Sequence, residues 1–203
     1  VLTPYASRTG TKRNLDALRA HGWRILVSAA GEWRNEGFPY AIDNGAWTAF
    51  QQGRPFDEKR FEGIVRELGR GADWIVAPDI VEGGLASLDF SLEWLPCLLP
   101  IAPVLIAVQD GMRIRDLEEY VDERVGIFVG GSTKWKEASL PMWGELRRSS
   151  GCHLHVGRVN TCRRIRLCAL AGADSFDGTS VTRFAVNIHR LDRARRQAVL
   201  FEE

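Results

Sequence analysis

Pro103-Val104-Leu105-Ile106-Ala107-Val108-Gln109-Asp110-Gly111 is an apolar run that stops abruptly at an amide, a carboxylate and a glycine. The run does not alternate between polar and apolar residues, as a strand with one wet face would. It reads as a strand buried on both faces, the pattern of a parallel sheet covered by helices. Trp74-Ile75-Val76-Ala77-Pro78-Asp79 repeats the design. Working outward, short strand-like segments are expected at 2–6, 23–28, 40–43, 74–78, 104–108, 126–129, 154–156 and 174–176. Helical patterns are expected at 11–20, 58–69, 85–95, 114–120, 133–149, 161–171 and 181–195, while the crossover at 29–39 is the weakest and reads as a turn. Strands alternating with helices imply parallel pairing through right-handed crossovers. Eight such units favour a closed (β/α)8 TIM barrel over an open doubly wound sheet, and neither phosphate-loop signature of the open sheet is present.

The chain of 203 residues, 45% hydrophobic, fits one domain over 1–203, a barrel with short loops. No apolar run is long enough to span a bilayer and no signal peptide is read, so a cytoplasmic protein without a membrane partner is expected. With Lys+Arg 27 against Asp+Glu 26, the overall charge does not announce a nucleic-acid binder. Arg158, Arg163, Arg164 and Arg166 cluster, as do Arg190, Arg193, Arg195 and Arg196. Each cluster reads either as phosphate contacts or as a solvated helix face. Cys97, Cys152, Cys162 and Cys168 have neither C-x-x-C nor zinc spacing, so reduced, buried thiols and no metal are expected.

Parallel barrels carry their chemistry at the carboxyl ends of the strands. Those ends are Asp43-Asn44-Gly45, Asp79, Gln109-Asp110-Gly111, Gly130-Gly131, Gly157-Arg158 and Asp177-Gly178. A lone Asp there is commonly a helix cap. Together they describe a polar cup of carboxylates, an amide and backbone N–H groups, suited to a guanine-like base through bidentate carboxylate and amide contacts. Phe128, Phe176 and Trp47 are candidates to cover ring faces, or else core residues. Two further carboxylates, Asp43 and Asp177, suit covalent glycosyl transfer. Ser132-Thr133-Lys134-Trp135-Lys136, with its Ser and backbone N–H groups, suits a phosphate at a helix start. His153 and His155 are expected to face opposite sides of one strand, each a hydrogen-bonded structural histidine.

The motif order from about Pro4 to Arg183 resembles the tRNA-guanine transglycosylase superfamily. The opening Thr3-Pro4-Tyr5-Ala6-Ser7-Arg8-Thr9-Gly10-Thr11-Lys12 looks like its first strand and loop. Asp43-Asn44-Gly45-Ala46-Trp47 resembles D-S-G-G-F, and Ala77-Pro78-Asp79 resembles F-D-E. Val108-Gln109-Asp110-Gly111 resembles V-Q-G, Phe128-Val129-Gly130-Gly131-Ser132 the G-G-L-A-V-G-E loop, and His155-Val156-Gly157-Arg158-Val159 the M-G-V-G segment. Asp174-Ser175-Phe176-Asp177-Gly178-Thr179-Ser180-Val181-Thr182-Arg183 looks like D-M-F-D-C-V-x-P-T-R and is the strongest match.

The resemblance implies Asp177 as nucleophile and Asp43 as general acid/base, with Asp79, Gln109 and Gly131 on the base. Gly130 and Phe176 complete the expected base site, and Arg158, Arg163, Arg164, Arg183 and Lys134 the backbone contacts. The superfamily's zinc module and long insertions are missing, which points to the DNA-directed, DpdA-like branch. The expected activity is therefore exchange of guanine for a free 7-deazaguanine such as preQ0 in DNA, without a cofactor. A helper protein for strand opening fits the need to unstack the base. Action on tRNA, hydrolysis to an abasic product and a silent nucleic-acid-binding barrel are the alternatives.

Overall fold

The computed structural model describes residues 2–7 and 11–197, with the side chain of Arg183 outside that set. Eight parallel strands follow one another round a closed cylinder: β1 (Thr3–Ser7), β2 (Arg24–Ser28), β3 (Tyr40–Asp43), β4 (Ile75–Val76), β5 (Val104–Val108), β6 (Val125–Val129), β7 (Leu154–Val156) and β8 (Ser175–Gly178). The seam between last and first strand sets Tyr5 opposite Asp177. Outside lie α1 (Lys12–Ala20), α2 (Ala46–Gln51), α3 (Glu58–Leu68), α4 (Leu85–Leu98), α5 (Thr133–Ser150), α6 (Cys162–Leu170), α7 (Ser180–Arg183) and α8 (Asn187–Gln197). The expected (β/α)8 barrel is what the chain forms. Among the described residues no helix is long and apolar enough to cross a membrane.

The period-two alternation of a strand divides the apolar residues into two layers. Ile25, Ile42, Ile106, Ile127 and Val156 point outward and join Phe61, Ile64 and Trp143 beneath the helices. Tyr5, Ala41, Trp74, Val76, Leu105 and Ala107 point inward and fill the lumen. Both faces of β5 are therefore dry, which is why its sequence shows an unbroken apolar run.

Two crossovers and the segment after β8 depart from the expected pattern. A short helix, α2, follows β3 directly. The helix expected at 114–120 is a single 3-10 turn, Ile114–Asp116, where Arg113 N donates to Asp116 Oδ2 at 2.8 Å and folds the chain back. The helix expected at 181–195 is cut at Phe184, whose backbone is extended, into α7 and α8.

The segment between β2 and β3 carries no helix, as expected. One indole covers that side instead: Trp33 lies against Gly63 of α3, and its Nε1 donates to Ala29 O at 3.1 Å. Arg60 stacks over the same ring at 5.2 Å and donates through Nε to Ala29 O at 2.6 Å.

The basic cluster of the last helix is not one solvated face. Arg195 is 8% exposed and donates to Asp192, itself 4% exposed, which also meets Arg196 and His21. Burial favours the acid form of Asp192, but the donors from Arg195, His21 and Arg196 outweigh it and hold its pKa below the usual value. Of the cysteines, Cys152 and Cys168 are buried as expected, whereas Cys97 is exposed; all four are free thiols.

Candidate active site

The mouth of the cylinder at the strand carboxyl ends collects Asp43, Asp79, Gln109 and Asp177, four of the residues picked out as strand ends. Asp79 is fixed first. Asn44 Nδ2 donates to its Oδ1 at 2.8 Å and Gln109 Nε2 to its Oδ2 at 3.0 Å. Asn44 is itself set by Ala77 O, at 2.6 Å from its Nδ2, and by Ala46 N, which donates to its Oδ1 at 2.9 Å. Gln109 Nε2 also meets Ile80 O at 2.9 Å and Ser87 Oγ at 3.1 Å. A carboxylate and a carbonyl can only accept, so this nitrogen is the amide's N–H end. The other end, Gln109 Oε1, is buried and finds no donor among the described residues. An unsatisfied buried acceptor is costly, and an N–H or O–H of a bound molecule would relieve it.

Asp43 and Asp177 differ in their surroundings. Asp43 accepts from Gly45 N at 3.2 Å and is half-buried. Burial raises its pKa to about 6, the Ser28 hydroxyl opposing and the charges of Asp177 and Asp79 adding to the rise. Asp177 is 6% exposed, and its Oδ2 lies 3.2 Å from both His155 Nε2 and Arg158 N. Burial lowers the pKa of His155, with Asp177 opposing, so its ring is neutral near pH 7. Gly157 makes room for this arrangement: a Cβ there would meet the Phe128 ring at 2.8 Å and Asp177 Oδ2 at 3.3 Å. Asp79, like Asp43, is raised by burial, against the hydrogen bonds from Asn44 and Gln109. The mouth therefore holds two carboxyl groups, Asp43 and Asp79, whose proton affinity burial raises, the kind of shift that suits a carboxyl to act as an acid near neutral pH.

Several expected site residues stand elsewhere. Phe176 is fully buried on the outer side of β8, edge-on to Trp23, and cannot cover a ligand in the mouth. The strand runs on to Gly178, so Asp177 points inward and Phe176 outward. Gly130 N donates to Val108 O at 2.9 Å, extending the β5–β6 ladder, and is not free for a ligand. His153 and His155 share one face rather than opposing ones, because residues two apart on a strand point the same way; both reach Ser175 Oγ. Phe128 lies in the lumen, stacked on His155 at 4.8 Å.

Gly131 lies at the rim, where Arg158 donates to its carbonyl oxygen. The Arg158 guanidinium stacks over Trp47 at 4.5 Å, so this residue ties together the loops after β3, β6 and β7. Arg163 and Arg164 are paired to Glu137 at 2.6 and 2.9 Å, and Lys134 is exposed on the first turn of α5. The side chain of Arg183, and Arg8, Thr9 and Gly10 of the opening motif, lie outside the described residues.

Lys136, expected within the phosphate-holding stretch at the start of α5, is instead turned into the barrel. It is 5% exposed and donates to Gly157 O from beneath the rim. Burial, aided by Arg158, lowers its pKa from 10.5 to about 8. The folded state therefore binds fewer protons than the unfolded state between about pH 8 and 10.5, and stability from this group rises with pH across that window. Melting curves should show the wild type gaining on Lys136→Met between those limits; parallel curves would contradict the assignment.

Fold and mouth together define an α/β barrel with an acidic, acceptor-lined cup at the carboxyl ends of its strands. No family model matches the chain, and no curated protein does. A solved structure described as "Native KDPGal structure" matches with a TM-score of 0.60 at 12% identity, over 98% of this chain and 97% of that one. The expectation of guanine exchange in DNA is corrected by this finding, since the solved barrel it resembles is of the KDPGal aldolase type and not a DNA transglycosylase. At that identity the likeness carries the fold alone. A TIM barrel hosts many chemistries, so motif order round its rim was too little to define one.

Proposed function

We propose that this protein is an enzyme that uses Asp43 and Asp177 as an acid–base pair on a small, neutral molecule bearing N–H or O–H donors. The observation that carries the reading is the different surroundings of two carboxylates that share one mouth. Asp177 is held by an imidazole and a backbone N–H, while Asp43 is left with a raised proton affinity beside it. Asp43 protonates the departing atom at a carbon centre, and Asp177 takes the proton of the incoming group. Asp79 and the unpartnered Gln109 Oε1 accept hydrogen bonds from the substrate. A net excess of carboxylates at the mouth disfavours an anionic substrate. Kinship with the tRNA-guanine transglycosylase superfamily is a separate proposal of descent, supported by motif order, and carries no claim about the bond broken.

Schiff-base aldol chemistry would need Lys136, whose amine has a lowered pKa but is committed to Gly157 O. Lys136 is buried beneath the rim, and Lys12, Lys59 and Lys134 are exposed on helices. The test is a panel of neutral nitrophenyl acetals and esters, run beside β-hydroxy carbonyl compounds that report aldol cleavage. Turnover of the first group should fall as pH rises through about 6, where Asp43 loses its proton. Aldol cleavage with no turnover of the first group, or a profile flat through that region, would overturn the reading.

A further inference from the structure

Below Asp177, the lumen holds a line of polar side chains where barrels are ordinarily packed with branched apolar ones. His155 Nε2 lies 3.2 Å from Asp177 Oδ2, and His155 Nδ1 lies 2.7 Å from Ser175 Oγ. Ser175 Oγ lies 2.7 Å from His153 Nε2. Ser175 and His155 are fully buried, walled by Tyr5, Trp74 and Phe128. His153 is half-buried and precedes β7, so it stands toward the end of the barrel opposite the mouth. The line thus begins at the proposed catalytic carboxylate and ends near solvent on the far side.

The chain of bonds has two fully satisfied orders. With Asp177 ionised, His155 donates Nε2–H to it, Ser175 donates O–H to His155 Nδ1, and His153 donates Nε2–H to Ser175. With Asp177 protonated, every bond is reversed and His153 carries its proton on Nδ1. Passing from the first order to the second takes one proton from water at His153 Nδ1. Each proton in place then moves one acceptor along, and one arrives on Asp177. The reverse passage returns one proton to water. No other reactant is needed. Burial keeps both imidazoles neutral, lowering His153 to about 4, so each ring can both donate and accept.

We propose that His153, Ser175 and His155 form a proton relay through the barrel that connects Asp177 with solvent at the opposite end. The relay rests on the reading of Asp177 as a group that exchanges a proton during turnover. It would let Asp177 equilibrate while a substrate covers the mouth.

The test follows the buried His155 Nε2–H in protein labelled with nitrogen-15 at histidine, measuring its exchange with water by NMR in the absence of substrate. Ser175→Ala cuts the line and should slow that exchange by about tenfold or more, while Ser175→Thr, which keeps the hydroxyl, should leave it near the wild-type rate. A purely structural network gives the opposite sign, because losing a hydrogen bond loosens the lumen and speeds exchange. Unchanged or faster exchange in Ser175→Ala would overturn the relay. His153→Phe, which keeps an aromatic ring at the far end, gives a second cut with the same expected slowing should Ser175→Ala fail to fold. Because this readout needs no turnover, it separates the two readings: slowed exchange together with full turnover in Asp177→Asn would keep the relay and sink the acid–base role.

Discussion

Asp43→Asn is expected to lower turnover by about 10²–10⁴-fold, the usual worth of a positioned general acid, and to raise the melting temperature at neutral pH. The two effects share one cause. The folded protein holds the Asp43 carboxyl at about 6, against 3.8 for an unperturbed one. Between those values the folded state binds more protons than the unfolded state, so stability falls as pH rises, and above about 6 the whole penalty is present. Asparagine keeps an oxygen to accept from Gly45 N and carries no charge to bury near Asp177 and Asp79. Melting temperatures of wild type and variant should converge below about pH 4 and separate by several degrees above pH 6. A variant less stable at pH 7, or one that keeps full turnover, would remove Asp43 from the acid role.

Gly144→Leu is expected to cost about 3 kcal/mol or more in urea denaturation, beyond most overpacked core sites. Gly144 sits in the middle of α5, buried beside Trp143, and even a Cβ at this position would overlap the carbonyl oxygen of Ala171 at the end of α6. The obstacle is backbone, not a side chain that can rotate away, so α5 and α6 must part. Glu145→Ala, one residue on and exposed, should change stability by no more than about 0.5 kcal/mol. Equal costs at the two positions would show that the helix pair does not depend on this close approach.

The barrel was legible because its signal is distributed. Tyr40–Asp43, Val104–Val108 and Leu154–Val156 were expected with the bounds they have, since dry strands closed by polar residues are hard to read otherwise. Asp43, Asp79, Gln109 and Asp177 were legible for the same reason: each ends or follows a strand, and closure of the cylinder brings them together. What failed were orientations and local folds. Ending the last strand two residues early turned Phe176 toward the ligand and hid that Ser175 and Asp177 share the inner face. The two-residue period should have put His153 beside His155. Asn44 was quoted within its motif but not assigned its work of bracing Asp79, because that contact spans 35 residues. Lys136 carries no signal of its fate in an otherwise polar helix start. The bond that the mouth acts on was least legible, because acid–base groups are shared by many reactions.

The helix-free crossover between β2 and β3 leaves the cylinder with one soft stave. Where other strands are backed by helical turns, this side is sealed by Trp33 and Arg60 bonded to Ala29. Such a closure can open without unwinding a helix, so limited proteolysis is expected to cut here before it cuts the helix-backed crossovers. The same looseness makes it a place for growth. A longer insertion could replace the indole's cover without disturbing the ladder on either side, and it would emerge next to Asp43, where new walls for a substrate would have the most to add.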